Sequence, residues 1–236
     1  MTSANKKEPP IAQRPVWDIL IRLWHWLLVV CLAGSWASAE FDRMQLHFWF
    51  GYGILGLMLF RVFWGFVGTR HARFSSFLPK PQRVIAYIQS LRSTSWTPSV
   101  GHSPIGALAV FAILAVISAQ VLSGLFTTDD IFWAGPYNPL LGSDASSLFS
   151  SVHRINFNVI KAIVVMHIAA VLSYWFFKST NLIKPMFTGQ KPANVVPEQE
   201  SAEAPRWRTA ILAVGLSVVM VLMIVWFAPE PVDDFF

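Results

Sequence analysis

The chain has 236 residues, of which 54% are hydrophobic and 13% charged, with a formal charge of +5 and a mean hydropathy of +0.49. A soluble domain carries about 25% charged residues, so this composition argues against a soluble enzyme, a disordered chain and a basic nucleic-acid binder. The single cysteine, Cys31, rules out a disulfide framework or a Cys-based zinc site, and the chain reads as an integral membrane protein.

Five apolar segments reach the roughly 20 residues needed to cross a bilayer as helices. A basic tail, 1–15, with Lys6, Lys7 and Arg14, precedes span one, 19–39. Ala37-Ser38-Ala39 resembles a signal-peptidase site, but Arg22 and His25 suit a permanent span better than a plain signal core. A short connection with Arg43 leads to span two, 46–67; a longer one with Arg70, Arg73, Lys80, Arg83 and Arg92 leads to span three, 105–126. The third connection, 127–151, combines Asp129, Asp130 and Asp144 with Phe132, Trp133 and Tyr137. That mixture suits a partner interface, although a membrane aromatic belt uses the same rings. Span four, 155–177, follows Arg154. Lys178, Lys184, Lys191, Arg206 and Arg208 lie in the fourth connection, whose Pro- and Glu-rich part reads as a flexible tether. Span five, 210–227, leads to Glu230, Asp233 and Asp234. Basic residues favour cytoplasmic loops, so the amino terminus is expected inside and the carboxyl terminus outside.

Ionisable groups within spans are costly, which makes them candidates for function. His25 lies in span one, His47 at the start of span two, and His153 and His167 at and within span four, with no intramembrane Asp or Glu beside them. This weakens a proton pump or cation transporter and a hard-metal site. Imidazoles in an apolar bundle fit haem iron better. His153 and His167 are fourteen residues apart, about 21 Å along a helix, and fall on one face because fourteen steps of 100° end about 40° short of whole turns. One helix can therefore serve two haems, one near each membrane surface. By depth, His25 should pair with His167 at the inner leaflet and His47 with His153 near the outer face. A lone membrane histidine is more often a packed residue than a ligand; the depth matching of four carries this reading.

Other residues are more ambiguous. Gly51, one turn beyond His47, and Gly53 and Gly56 after it can leave room for a flat macrocycle or serve close helix packing. Arg22, Arg61 and Arg154 can meet haem propionates or snorkel to headgroups. Lys161, between the two candidate ligands of span four, has three open readings: snorkelling, a propionate contact or a wet pocket.

A series of short motifs then appears in order. It runs through Val16-Trp17-Asp18, Arg22-Leu23-Trp24-His25-Trp26, Leu46-His47 with Gly51-Tyr52, Phe60-Arg61, and Phe63-Trp64-Gly65-Phe66-Val67-Gly68. It continues with His71-Ala72-Arg73-Phe74, Gly101-His102-Ser103-Pro104, Ser123-Gly124-Leu125-Phe126, Asp129-Asp130-Ile131, His153, His167, Asn181-Leu182 and Thr188-Gly189-Gln190-Lys191. This series, over about residues 14–191, resembles the bacterial cytochrome b561 family, which includes the b-type cytochrome subunits of membrane-bound nickel–iron hydrogenases. The resemblance implies an all-α, four-helix transmembrane domain, 16–191, holding two b haems on the four histidines above. It also implies a bacterial inner-membrane location and electron exchange between the quinone pool and a periplasmic partner, such as a hydrogenase or c-type cytochrome. The linker 192–208, a fifth helix at 209–228 and an external tail, 229–236, extend beyond the shortest family members. His71 and Arg73 fit a quinone headgroup site or a plain basic loop. His102 fits a structural role, with Pro104 in the first turn of span three. The redox chemistry belongs to the haem, which the protein tunes; the direction of flow stays open. The alternatives are an oxidoreductase acting by itself on superoxide or quinol, and a haem-free membrane anchor or scaffold.

Overall fold

The computed structural model describes residues 12–93 and 96–229; the expectations for Lys6, Lys7, Glu230, Asp233 and Asp234 fall outside them. The chain is built from β1 (Gln13–Pro15), α1 (Ile19–Glu40), α2 (Met44–Val67), α3 (Phe74–Phe77) and α4 (Pro81–Ser90). There follow α5 (Pro104–Gly124), α6 (Ser143–Lys178), α7 (Ile183–Thr188), β2 (Gln190–Pro192) and α8 (Trp207–Trp226). Helices α1, α2, α5, α6 and α8 are long and apolar enough to cross a membrane, so the protein is all-α and multi-pass.

Local chemistry sets the helix starts. Asp18 caps α1 by accepting from the backbone N–H groups of Leu20 and Ile21 at 2.9 Å. Ser103 accepts from Gly106 N–H at 3.1 Å and Pro104 occupies the first turn of α5. A three-residue connection, with Asp42 at φ 53°, turns α1 back into α2.

Helix α2 is central: it packs on α1, α5 and α8, while α6 leans chiefly on α5. Leu28, Ile54, Met58, Leu114 and Ile117 form the mid-bundle core, and Ile21, Phe60, Trp64, Ala72, Ala210 and Ala213 form a second cluster nearer the start of α1. The buried face of α8 is Ala210, Ala213 and Ser217, small residues that let its backbone approach α2.

Helix α6 begins twelve residues before the apolar segment expected at 155. The residues added at its start are rich in serine, which keeps them out of a hydropathy window, and Asp144 in the first turn suits the positive helix end. Hydropathy reads membrane depth rather than helix length; 36 residues extend about 54 Å, well beyond a hydrocarbon core of about 30 Å. His153 therefore lies within the helix rather than at its opening. Asn156 Nδ2 ties α6 to α5 through Val116 O and Gln120 Oε1 (2.9 and 2.8 Å), and Tyr87 Oη meets Tyr174 Oη at 2.9 Å.

The segment expected as a flexible tether is a fastened strap. Strands β1 and β2 pair antiparallel, Lys191 Nζ donates to Ser99 O and Val100 O at 2.9 and 2.7 Å, and Val196 is fully buried. Arg14 donates to Val196 O at 2.7 Å, His71 Nε2 to Glu200 O at 2.7 Å, Arg70 to Gln199 O, and Ala202 N–H to Pro15 O at 2.8 Å. Composition suggested a tether because the partners of these residues are far away in sequence. The bundle thus has a strap end, where α1 begins, and a turn end, where α1 meets α2.

Candidate functional site

At the turn end the structure brings His47 and His153 together, with ring centroids 6.2 Å apart and planes at 75°. Each ring is fixed from behind. His47 Nδ1 lies 2.9 Å from Ser35 O and 3.1 Å from Ser35 Oγ; His153 Nδ1 lies 3.0 Å from Gln120 O and 3.2 Å from Ser123 Oγ. A carbonyl oxygen can only accept, so Nδ1 of each ring carries the proton and Nε2 keeps its lone pair. Metal–imidazole bonds are about 2.0–2.1 Å, so two imidazoles on opposite sides of one ion would have centroids about 6.3 Å apart. The turn-end spacing matches that arrangement.

These rings line a cavity of about 380 Å³ bounded by α1, α2, α5, α6 and the loop after α5, including Ser35, Gly51, Gln120, Gly124, Asp129 and Arg154. A Cβ on Gly51 would meet nothing within 4 Å, whereas one on Gly53 or Gly56 would touch Cys31 Sγ at 3.4 Å or Val221 Cγ2 at 3.5 Å. The two readings of the glycines therefore separate: Gly51 faces the cavity, and Gly53 and Gly56 serve packing. Gly124 lets His153 approach, since a Cβ there would lie 3.0 Å from its Cε1.

Toward the strap end, His167 is close enough to His25 to couple electrostatically. Neither ring hydrogen-bonds to another described residue, and His25 Nδ1 is buried without a partner. His25 packs edge-on against Trp26 at 5.0 Å, and Trp26 stacks on Phe187 of α7 at 4.6 Å. Arg22 donates through Nη1 to Phe187 O, leaving its buried Nε unpartnered. Arg61, 2% exposed, sits over Phe74 and Trp24 at 4.6 and 5.7 Å with Nη1 unpartnered. Lys161 lies over Phe157 at 4.9 Å, which makes cation–π contact its role in this structure.

The remaining histidines serve the strap end. His71, 8% exposed, donates to Glu200 O, so its ring is committed to the strap rather than presented with Arg73 as an open headgroup site. His102 packs between Trp17 and Phe77 at 4.7 and 4.3 Å. Burial, assisted by Arg61, His71 and Lys191, pushes its pKa down to about 3. Burial first also lowers His71, and brings Lys191 down to about 8. Asp129 Oδ1 accepts from Ile131, Phe132 and Trp133 N–H at 3.0, 2.9 and 2.8 Å, and backbone hydrogen bonds, led by that of Trp133, lower its pKa.

Sequence reasoning missed Ser35, Gln120 and Asn156. Gln120 and Asn156 were discoverable as polar residues inside apolar spans. The carbonyl acceptors have no side-chain signature.

Residues 16–189 match the family described as prokaryotic cytochrome b561. The chain is 22% identical to a probable Ni/Fe-hydrogenase 1 B-type cytochrome subunit of Escherichia coli (strain K12), with 79% of this chain and 94% of that protein covered. It is 30% identical to a probable Ni/Fe-hydrogenase B-type cytochrome subunit of Azotobacter vinelandii, over 43% of this chain and 53% of that protein. It is 25% identical to a subunit of the same description from Cupriavidus necator, over 75% and 86%. The matched segment runs from the start of α1 to the end of α7 and contains all four paired histidines, so the protein belongs to the prokaryotic cytochrome b561 family.

Proposed function

We propose that this protein is the membrane electron-transfer subunit of a hydrogenase-like complex, with two b haems bound by His47/His153 and His25/His167. Haem b supplies a one-electron iron couple, and the chain supplies ligands, an apolar setting and charge pairing. The observation that carries the reading is the turn-end pair: two imidazoles at one-ion spacing, both with Nδ1 protonated and fixed by a carbonyl. Among the described residues no three His, Cys, Asp or Glu side chains converge. Two imidazoles without a third protein ligand would suit a macrocycle that supplies further nitrogens of its own.

The residues have distinct tasks in this reading. Ser35 and Gln120 hold the turn-end imidazoles, Gly51 keeps the cavity open, and Arg154 at its wall is a propionate partner. Arg22 and Arg61 supply cations at the strap end. The basic connections at that end support a cytoplasmic strap end, with the turn end and carboxyl terminus periplasmic. The loop after α5 then meets the external donor or acceptor, a hydrogenase or a c-type cytochrome, and the quinone pool lies at the other end of the path.

A pyridine haemochrome assay on the purified chain tests the cofactor claim: two haems b per chain are expected, and none would leave a membrane scaffold. Reduction of the bound haem by the purified partner, followed by reoxidation with a membrane quinone in liposomes, tests the path. Failure of quinone to reoxidise it would remove the quinone pool from the proposal.

A further inference from the structure

Helix α4 carries two apolar stripes, and the protein covers only one of them. At 3.6 residues per turn, Val84, Tyr87 and Leu91 fall on one side; all three are half-buried, and α4 packs on α5. Pro81, Ile85 and Ile88 fall on a second side and are exposed, as is Leu78 just before the helix. The third side, Gln82, Ala86 and Gln89, is mostly polar. A surface helix of a soluble domain sets one apolar side against the core and needs no second.

Two bonds fix the level of α4 relative to the bilayer. Tyr87 Oη meets Tyr174 Oη at 2.9 Å, and Lys178 Nζ donates to Leu91 O at 2.6 Å while lying over the Trp96 ring at 5.3 Å. Tyr174 belongs to the apolar part of α6 and Lys178 is the last residue of that helix, so α4 lies at the level where α6 leaves the hydrocarbon. Tyrosine and tryptophan favour that level. A three-sided helix held there turns one side to protein, one to acyl chains and one to water.

Charge decides which lipid fits. The connection 68–103 contains Arg70, Arg73, Lys80, Arg83 and Arg92 and no Asp or Glu. Arg70 is spent on Gln199 O. Lys80 at the start of α4, Arg83 in its first turn and Arg92 just past its end are exposed, and none pairs with a carboxylate among the described residues. Lys80 and Arg83 stand at the positive end of the helix, where cations are disfavoured unless an anion joins them. We propose that the exposed side of α4 docks on anionic lipid headgroups, with Leu78, Ile85 and Ile88 at the edge of the acyl chains and Lys80, Arg83 and Arg92 on the phosphates. Long basic side chains reach such phosphates while their stems stay along the apolar stripe. The surface selects a class of lipid at the strap end and is independent of the histidine pairs.

The experiment is hydrogen exchange of the purified full-length protein in nanodiscs of phosphatidylcholine alone or of equimolar phosphatidylcholine and phosphatidylglycerol. In the mixed bilayer the amides of 84–91 should exchange about tenfold more slowly, with the mid-bundle amides of α2 unchanged. Lys80→Gln, Arg83→Gln and Arg92→Gln together should abolish that difference, and Ile85→Ser with Ile88→Ser should give fast exchange in both bilayers. Equal exchange of the parent in the two bilayers, or a charge variant that still responds as the parent does, overturns the proposal and leaves this face to a protein. Equal slowing by inorganic phosphate in phosphatidylcholine discs overturns it in favour of a free anion, and parental exchange in the serine variant overturns the seating of the stripe. The comparison of the parent in the two bilayers decides even where a variant fails to insert.

Discussion

The two ends of the bundle use the same residue types for opposite purposes. At the turn end, polar groups from α1, α2, α5 and α6 are directed at a cavity, and two backbone carbonyls hold a pair of imidazoles across it. At the strap end, polar groups are largely spent on one another: Asp18 Oδ2 accepts from Thr69 Oγ1 at 2.5 Å and Trp64 Nε1 at 3.3 Å, and His71 and Lys191 fasten loops. Histidine by itself therefore says little: carbonyls hold His47 and His153 at a cavity, whereas His71 is spent on the strap and His102 on an aromatic slot.

The largest effect is expected at the ligands. His153→Ala should remove one of two haems and leave the other, whereas His102→Phe, in its aromatic slot between Trp17 and Phe77, should keep both. Haem-to-protein ratio measures this, and loss of haem in His102→Phe would erase the distinction between prepared and packed histidines. Next comes the cavity. Gly51→Leu should fill space that a bound macrocycle needs and strip the turn-end haem, whereas Gly51→Ala, whose Cβ has no neighbour within 4 Å, should retain it.

At the strap end the expected change is in stability. Asp18→Ala loses a helix cap, at about 1 kcal/mol, and leaves the Thr69 hydroxyl and Trp64 indole without their acceptor, at about 1–3 kcal/mol more. Thermal unfolding should occur at a lower temperature with haem content unchanged before the transition. Asn in place of Asp18 should recover part of the loss by keeping the cap.

Acid should also separate the ends. His102 titrates near 6.5 when unfolded and about 3 when folded, beside Arg61, His71 and Lys191. Between those values the unfolded chain binds a proton that the folded chain refuses, so stability falls as pH drops from 6.5 toward 3. The Asp129 turn has the opposite chemistry: its carboxylate is favoured in the folded chain and is lost only as pH falls below the ordinary value of 3.8. Hydrogen exchange at pH 5 should therefore show opening of the strap end while the 129–133 turn stays protected, and His102→Phe should remove most of that acid sensitivity.

The smallest effect is expected for docking. Asp129 is committed to three backbone N–H groups, but Asp130 is exposed at φ 61°. Asp130→Asn should slow haem reduction by a basic external partner severalfold at low salt and little at high salt; an equal slowing at both would argue against charge steering.

Much of this organisation was legible in the chain. The five spans emerged from hydropathy because a membrane helix must be apolar along its length, and only the start of α6 was displaced, since its first turns need no lipid. The four histidines stood out for the same physical reason. Their supports did not, because Ser35 and Gln120 act through carbonyls that every residue possesses. The strap was illegible because its order depends on Pro15 pairing with Gln190 and Arg14 with Lys191, and nothing local in a Pro- and Glu-rich sequence announces a distant partner.

That pairing has a consequence for biogenesis. Strand β1 emerges first and must wait for β2 until all of α1 to α7 has been made, so the strap end is sewn shut late, while its unpaired edge remains open to other chains. Helix α8 follows at once and seats Ala210, Ala213 and Ser217 in the fold. A chain stopped at residue 189, the limit of the family match, would contain every paired histidine yet lack the stitch that closes it. Such a truncation should insert and then become a preferred substrate for membrane proteases, which makes the extension beyond the family segment part of this protein's folding programme.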